Sequence, residues 1–153
     1  MFDDLRDLYQ DVILQHGRKP RHMRRLEHFD AAAKGDNPMC GDRVQVWVAH
    51  ADGAIADIGF EARGCAISIA SADLMAESVT GMRADAVRSL FAGFEQMART
   101  GVCPDCAPLL EPAMQRLKPL SGVHEYPSRV KCATLPWLAL VAALDGEKEA
   151  SSE

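Results

Sequence analysis

The chain has 153 residues, 48 % hydrophobic and 25 % charged, an ordinary globular composition that suits one domain with one core. Its 17 basic and 22 acidic side chains leave a formal charge of −5, which argues against general nucleic-acid binding, and no apolar run approaches the ~20 residues of a membrane span. Met1-Phe2-Asp3-Asp4 lacks a signal-peptide core and the five cysteines are odd in number, so a cytoplasmic protein with metal-binding or reactive thiols is expected, not a disulfide framework.

Phe2, Leu5, Leu8, Tyr9, Val12 and Ile13 recur at three- and four-residue intervals. That spacing predicts an amphipathic helix of about four turns, closing near Gly17. Arg18, Lys19, Arg21, Arg24 and Arg25 follow as a basic cluster around His22. The plain reading is a solvated linker; the sharper one is a docking patch for an acidic partner, because like-signed clusters steer encounter. No aromatic is interleaved, so a single-strand nucleic-acid platform is not expected. Glu27 to Asp36 is weakly patterned and reads as irregular.

Asn37-Pro38-Met39-Cys40-Gly41-Asp42 reads as a tight corner. The proline ring biases the preceding residue out of helix, and Gly41 is free to take a positive φ. Cys40 and Asp42 stand two apart on this corner, which leads directly into a strand: Val44, Val46 and Val48 alternate with Gln45, Trp47 and Ala49. Asp52-Gly53 signals a hairpin, and Ile58, Phe60 and Ala62 alternate along the return strand. The hairpin thus brings Cys65 back to the end at which Cys40 entered.

Ile67, Ser71, Leu74, Met75 and Val79 share one face of a helix predicted from Ala66 and ended by Gly81. Ser68, Ser71 and Asp73 read as helix-start polar residues and a small packing face, in preference to nucleophile machinery. A helix beginning at Cys65 favours a thiolate there. A further helix from Ala84 to Met97 turns Val87, Leu90, Phe91 and Phe94 inward. Cys103-Pro104-Asp105-Cys106 has no second CxxC and no βαβ context, so it reads first as a local thiol pair, then as a labile disulfide, then as a second metal site.

Leu109 to Leu120 predicts a helix with Pro112 near its start, and Gly122 to Pro127 breaks the pattern. His124 reads as a solvent-exposed loop histidine more readily than as a ligand. Beyond Cys132, the residues Leu135, Leu138, Val141, Ala142 and Leu144 form a last apolar helix, with Thr134 as its cap and Pro136 in its first turn. Residues 1–145 read as one domain and 146–153 as a frayed polar tail.

A lone cysteine is more often a small buried hydrophobe than a ligand. Here Cys40 has Asp42 two residues on, Cys65 follows a glycine at a strand-to-helix junction, and Cys132 lies among Arg129 and Lys131, cations that favour a thiolate. Three thiols and a carboxylate make a complete tetrahedral zinc set: Cys40, Asp42, Cys65 and Cys132. The sequence offers no serine–histidine pattern, no paired catalytic carboxylates and no phosphate-cradling glycine loop.

Asn37 to Asp42, Gly64-Cys65-Ala66-Ile67-Ser68, Ala70-Ser71 and Arg129-Val130-Lys131-Cys132-Ala133-Thr134-Leu135 resemble the SufU branch of the IscU/NifU-like iron–sulfur assembly proteins. Leu8-Tyr9, Val12-Ile13 and Pro20-Arg21 are similar too, and the likeness covers about Leu5 to Leu144. It implies an α+β fold, a small antiparallel three-stranded sheet with helices packed on one side, and a metal site of Cys40, Asp42, Cys65 and Cys132. The IscU-like branch assembles a [2Fe–2S] cluster and usually has a histidine just before the last cysteine, where this chain has Lys131. The SufU-like branch has a longer segment before that cysteine, as Met97 to Tyr126 suggests here. It binds zinc and accepts persulfide sulfur from a SufS-type cysteine desulfurase, which supplies a histidine to the zinc and frees the thiol matching Cys40.

Two departures stand out. Pro136 lies where the family continues with ordinary helix formers, and Cys103 and Cys106 match no family site. The resulting expectation is a zinc-dependent sulfur acceptor: Cys40 carries sulfur toward downstream iron–sulfur assembly proteins and Arg129 tunes the nearby charge. Its rivals are a scaffold on which a [2Fe–2S] cluster is built and a protein whose zinc is only structural.

Overall fold

The alternating valines form the strand they predict. β2 (Asp42–Ala51) pairs antiparallel with β3 (Ala54–Arg63) across a turn in which Asp52 and Gly53 both take positive φ, 55° and 81°. Two left-handed residues in succession match the twist of the flanking strands, which is why Asp-Gly serves there. The computed structural model describes residues 2–38, 41–102 and 111–151. On the other side of β2 lies β1 (Ala31–Asn37), antiparallel to it, and β4 (Glu149–Ser151) adds parallel to β1, so the sheet order is β3-β2-β1-β4.

The helices are α1 (Phe2–Arg18), α2 (Ala66–Val79), α3 (Ala84–Thr100), α4 (Glu111–Leu117) and α5 (Pro127–Leu144), with a 3₁₀ segment, Lys118–Glu125, leading into α5. The fold is α+β, as expected; the resemblance implies three strands without placing the third, and the fourth is not expected. Ala31–Asn37 forms β1 where an irregular segment is expected, and Glu149–Ser151 pairs with it where a frayed tail is expected. The three-stranded antiparallel sheet is thus part of a four-stranded mixed one. The small residues of β1 answer to packing: a Cβ on Gly35 would stand 3.0 Å from Val44 and 3.1 Å from Leu135. Glycine lets α5 lie close on this strand.

Val44, Val46, Val48, Ile58 and Phe60 are buried on the helix-facing side of the sheet. Burying each such side chain contributes about 1.5–3 kcal/mol. Trp137 of α5 is buried among them and stacks on Phe94 of α3, with ring centroids 5.0 Å apart. Its indole N–H donates to the Ser71 hydroxyl (3.2 Å), which donates to the Ala133 carbonyl (2.5 Å). Ser71 therefore pins α2 to α5.

The segment between α1 and β1 crosses the opposite side of the sheet. Met23 bridges Phe60, Leu26 is buried, and Arg25 lies over Trp47 at 5.7 Å. A Cβ on Gly59 would meet the Arg24 carbonyl at 2.3 Å, so the crossing needs glycine beneath it. Part of the basic cluster is engaged within the fold: Arg24 pairs with Asp57 at 2.5 Å and His22 approaches Glu77 at 3.6 Å.

Asp73 anchors the start of that segment. Its carboxylate is fully buried and accepts from the amides of Arg21 (2.9 Å) and His22 (2.8 Å) and from His16 Nδ1 (2.5 Å). Three donors from the end of α1 and beyond converge on one side chain of α2. Asp73→Ala strands both amides, and a buried unsatisfied donor costs about 1–3 kcal/mol, so a loss of about 2–4 kcal/mol is expected in urea unfolding. Asp73→Asn keeps an oxygen for the amides and is expected to lose less than half as much. Among the described residues, no helix is long and apolar enough to cross a membrane.

Candidate metal centre

The hairpin closes the first half of the site. Arg43 pairs with Arg63, so Asp42 at the start of β2 faces the chain just beyond the end of β3. There Gly64 takes φ +130°, and Cys65 follows as the extended residue that opens α2. The Cys65 amide donates to Asp42 Oδ1 at 2.9 Å and its thiol lies 3.5 Å from Asp42 Oδ2. Asp42 is only 1 % exposed, so its carboxylate is removed from water and held by this contact.

The second half comes from α5. Cys132, also 1 % exposed, points its thiol toward the Ser128 carbonyl (3.5 Å). One oxygen of Asp42 and the sulfurs of Cys65 and Cys132 all lie within 4.8 Å of one another. A tetrahedral zinc holds sulfur at about 2.3 Å and carboxylate oxygen at about 2.0–2.2 Å, which places its ligands roughly 3.5 Å apart. The Cys65–Asp42 separation already has that spacing, and two soft donors with one hard donor suit a borderline metal. Three of the four residues expected at the site are thus together. The fourth, Cys40, lies outside the described residues, as do Cys103 and Cys106.

Arg129, one turn before Cys132, is the cation of the site. The charge of Cys65, and then hydrogen bonding to Cys132, raise its pKa further above the usual guanidinium value. Lys131 is exposed. The expectation that Arg129 and Lys131 lower the Cys132 thiol fails for the metal-free chain. Burial first, then Asp42 and Cys65, push that thiol well above its usual value. A divalent cation reverses this balance, since coordinated thiols are deprotonated.

Cys132 also stands differently in its helix than expected. α5 begins at Pro127, so Cys132 lies inside it and Pro136 in its interior. Pro136 has no N–H for the Cys132 carbonyl in the ordinary helical pattern. Thr134 donates back to Lys131 (3.4 Å) and is not a cap. His124 is exposed and donates from Nδ1 to the Ser121 carbonyl (2.7 Å). Among the described residues no imidazole joins the Asp42–Cys65–Cys132 set.

A second group, His16, Asp73 and Glu77, also has ligand-type atoms within 4.8 Å of one another. Its Asp73 is already occupied by the three donors described above, so it serves as a structural knot. Sequence reasoning missed it; its one trace is a charged residue in the small and apolar stretch Ala70 to Met75.

A helix-backed sheet with a carboxylate and two thiols converging beyond one hairpin end defines a small α+β domain with a thiol-rich candidate metal site. Residues 8–133 match the family model for the NifU-like N-terminal domain, and the chain belongs to that family. Among similar proteins is one from Streptococcus pyogenes named iron–sulfur cluster assembly scaffold protein IscU, 34 % identical over 92 % of this chain and 84 % of its own. Another, from Bacillus subtilis, is named zinc-dependent sulfurtransferase SufU, 33 % identical over 90 % and 89 %. The solved structure of a NifU-like protein (N-terminal) from Brucella abortus matches with a TM-score of 0.79 at 25 % identity, covering 93 % of this chain and 95 % of that one.

Proposed function

We propose that this protein is a zinc-dependent sulfur acceptor in iron–sulfur cluster assembly, taking persulfide sulfur from a SufS-type cysteine desulfurase through Cys40. The observation that carries the reading is the convergence of Asp42, Cys65 and Cys132 with no imidazole among the described donors. The residue before Cys132 is an exposed lysine, which does not supply the nitrogen ligand of a scaffold of the IscU type. The likeness to the Bacillus subtilis protein named SufU supports the same reading.

Asp42, Cys65 and Cys132, with Cys40 as the fourth donor, would hold the ion. Zinc supplies the positive charge that keeps these thiols deprotonated near neutral pH. The transfer itself is a thiol exchange. The Cys40 thiolate attacks the terminal sulfur of the desulfurase persulfide, a new S–S bond forms, the partner's S–S bond breaks, and its cysteine leaves as a thiolate. No oxidant is consumed. Arg129, beside Cys65 and Cys132, offsets the negative charge of the thiol-rich site.

The freshly purified protein is expected to carry about one zinc and to raise desulfurase turnover. Cys40→Ala is expected to abolish that stimulation; a variant that stimulates as well as the parent overturns the carrier assignment. A second reading, a scaffold for a [2Fe–2S] cluster, draws on the comparable likeness to the proteins named IscU. Anaerobic reconstitution separates the two, because a stable cluster absorbs in the visible and zinc does not.

A further inference from the structure

Ser68 carries the one buried side-chain oxygen or nitrogen that has no hydrogen-bond partner among the described residues. The residue is fully buried in the first turn of α2. A buried hydroxyl without a partner normally costs stability, and a helix offers an easy remedy in a back-bond to the carbonyl four residues earlier. Ser78 takes that remedy with Leu74 (2.7 Å) and Thr80 with Ala76 (2.8 Å). Ser68 does not.

Its position is set by its neighbours along the helix. Residues three apart on a helix share a face, with Cβ atoms about 5–6 Å apart. Ser68 is three residues after Cys65 and three before Ser71. Cys65 brings its sulfur within 4.8 Å of the Cys132 sulfur, and Ser71 bonds to the carbonyl of Ala133, the next residue along α5. Two contacts, one on each side of Ser68, thus fix α2 against the turn of α5 that carries Cys132. The three-residue spacing places Ser68 on the face between them.

We infer that Ser68 is a positioning residue for the metal centre: its buried hydroxyl is kept for the sulfurs of Cys65 and Cys132, to which it donates when they hold an ion. A sulfur that ligates a metal ion carries negative charge and attracts a hydrogen-bond donor. Among the described residues the metal-free chain leaves the hydroxyl without a partner, and loading is what would give it one. Such outer partners orient the ligands and strengthen their hold on the ion. This inference rests on the zinc reading above and deepens it.

The test is Ser68→Ala, measured with zinc and with cobalt(II) as the coloured probe, in chelator competition. Affinity for zinc is expected to fall about tenfold. The sulfur-to-cobalt charge-transfer absorption should move to longer wavelength, because a sulfur that loses a hydrogen bond gives up its electrons more easily. In chelator the variant should melt no lower than the parent, since the change removes an unsatisfied hydroxyl. A variant with parental zinc affinity and an unmoved absorption, while the parent binds zinc tightly, overturns the role of Ser68 and leaves the zinc reading standing. A variant that melts lower without metal shows that the hydroxyl has a partner in the empty state, which also overturns it. A parent that takes up neither ion overturns the zinc reading and this inference with it.

Discussion

Cys132→Ser is expected to strip the centre of its ion. Zinc in the purified protein should drop from about one per chain to below about a tenth, and affinity in chelator competition should fall at least ~100-fold. The magnitude follows from dividing the binding free energy among the ligands. Structural zinc sites in small domains bind with about 10–16 kcal/mol at neutral pH, so one ligand of four accounts for about 3 kcal/mol, and each 1.4 kcal/mol is tenfold. A serine hydroxyl stays protonated where a thiol ionises, so it does not replace the sulfur as a ligand.

The same substitution should leave the metal-free fold nearly intact. Serine is slightly smaller than cysteine and can still donate to the Ser128 carbonyl, which the thiol now meets at 3.5 Å. Thermal unfolding in chelator should therefore change little, while the parent alone gains stability when zinc is added, because an ion that binds only the native state raises its melting temperature. A Cys132→Ser protein that keeps its zinc against the chelator would mean that the ion is held elsewhere.

The hairpin was legible because three valines alternate and Asp52-Gly53 supplies the only turn chemistry that fits. That alone puts Asp42 beside Cys65. The approach of Cys132 was proposed from residue types and motif likeness, since periodicity says nothing about which helix end meets which hairpin end. β1 escaped detection because Ala31–Asn37 lacks β-branched residues; it becomes a strand through its neighbours β2 and β4, an instance of packing overriding propensity. β4 is the short stretch Glu149-Ala150-Ser151, with no β-branched or aromatic residue, and its strand character comes from pairing with Lys34, Gly35 and Asp36.

The start of α5 was misplaced because two prolines compete for the same signal. Pro136 reads from sequence as the first-turn proline, whereas Pro127 fills that role in the structure. The charged stretch Ser128 to Lys131 shows no apolar face, since these residues are exposed or only half-buried. The anchoring role of Asp73 is hidden in the sequence for a related reason. A carboxylate inside a helix looks like a solvated polar residue until the donors that surround it, more than 50 positions away in sequence, are known.

Gly64→Ala is expected to damage both the fold and the site, although the change adds one methyl group. Gly64 holds φ at +130°, which side-chain-bearing residues rarely adopt, and the strain of such a backbone costs of order 1–3 kcal/mol. The added Cβ would fall 1.9 Å from Asp42 Oδ1 and 3.0 Å from the Asp42 Cα. The carboxylate has little room to yield, because it is buried and holds the Cys65 amide at 2.9 Å. Overpacking of this kind typically costs a further 1–3 kcal/mol. A total of about 3 kcal/mol corresponds to a melting temperature lower by roughly 6–12 °C for a chain of this size, read by circular dichroism in chelator. Zinc affinity should fall as well, since the methyl group displaces the oxygen that faces Cys65. Gly122→Ala is the control: its φ is not positive and a Cβ there meets nothing within 4 Å, so it should melt within about 2 °C of the parent. A Gly64→Ala protein that matched this control in both melting and zinc binding would show that the junction between β3 and α2 adapts freely, and that the pairing of Asp42 with Cys65 does not depend on glycine.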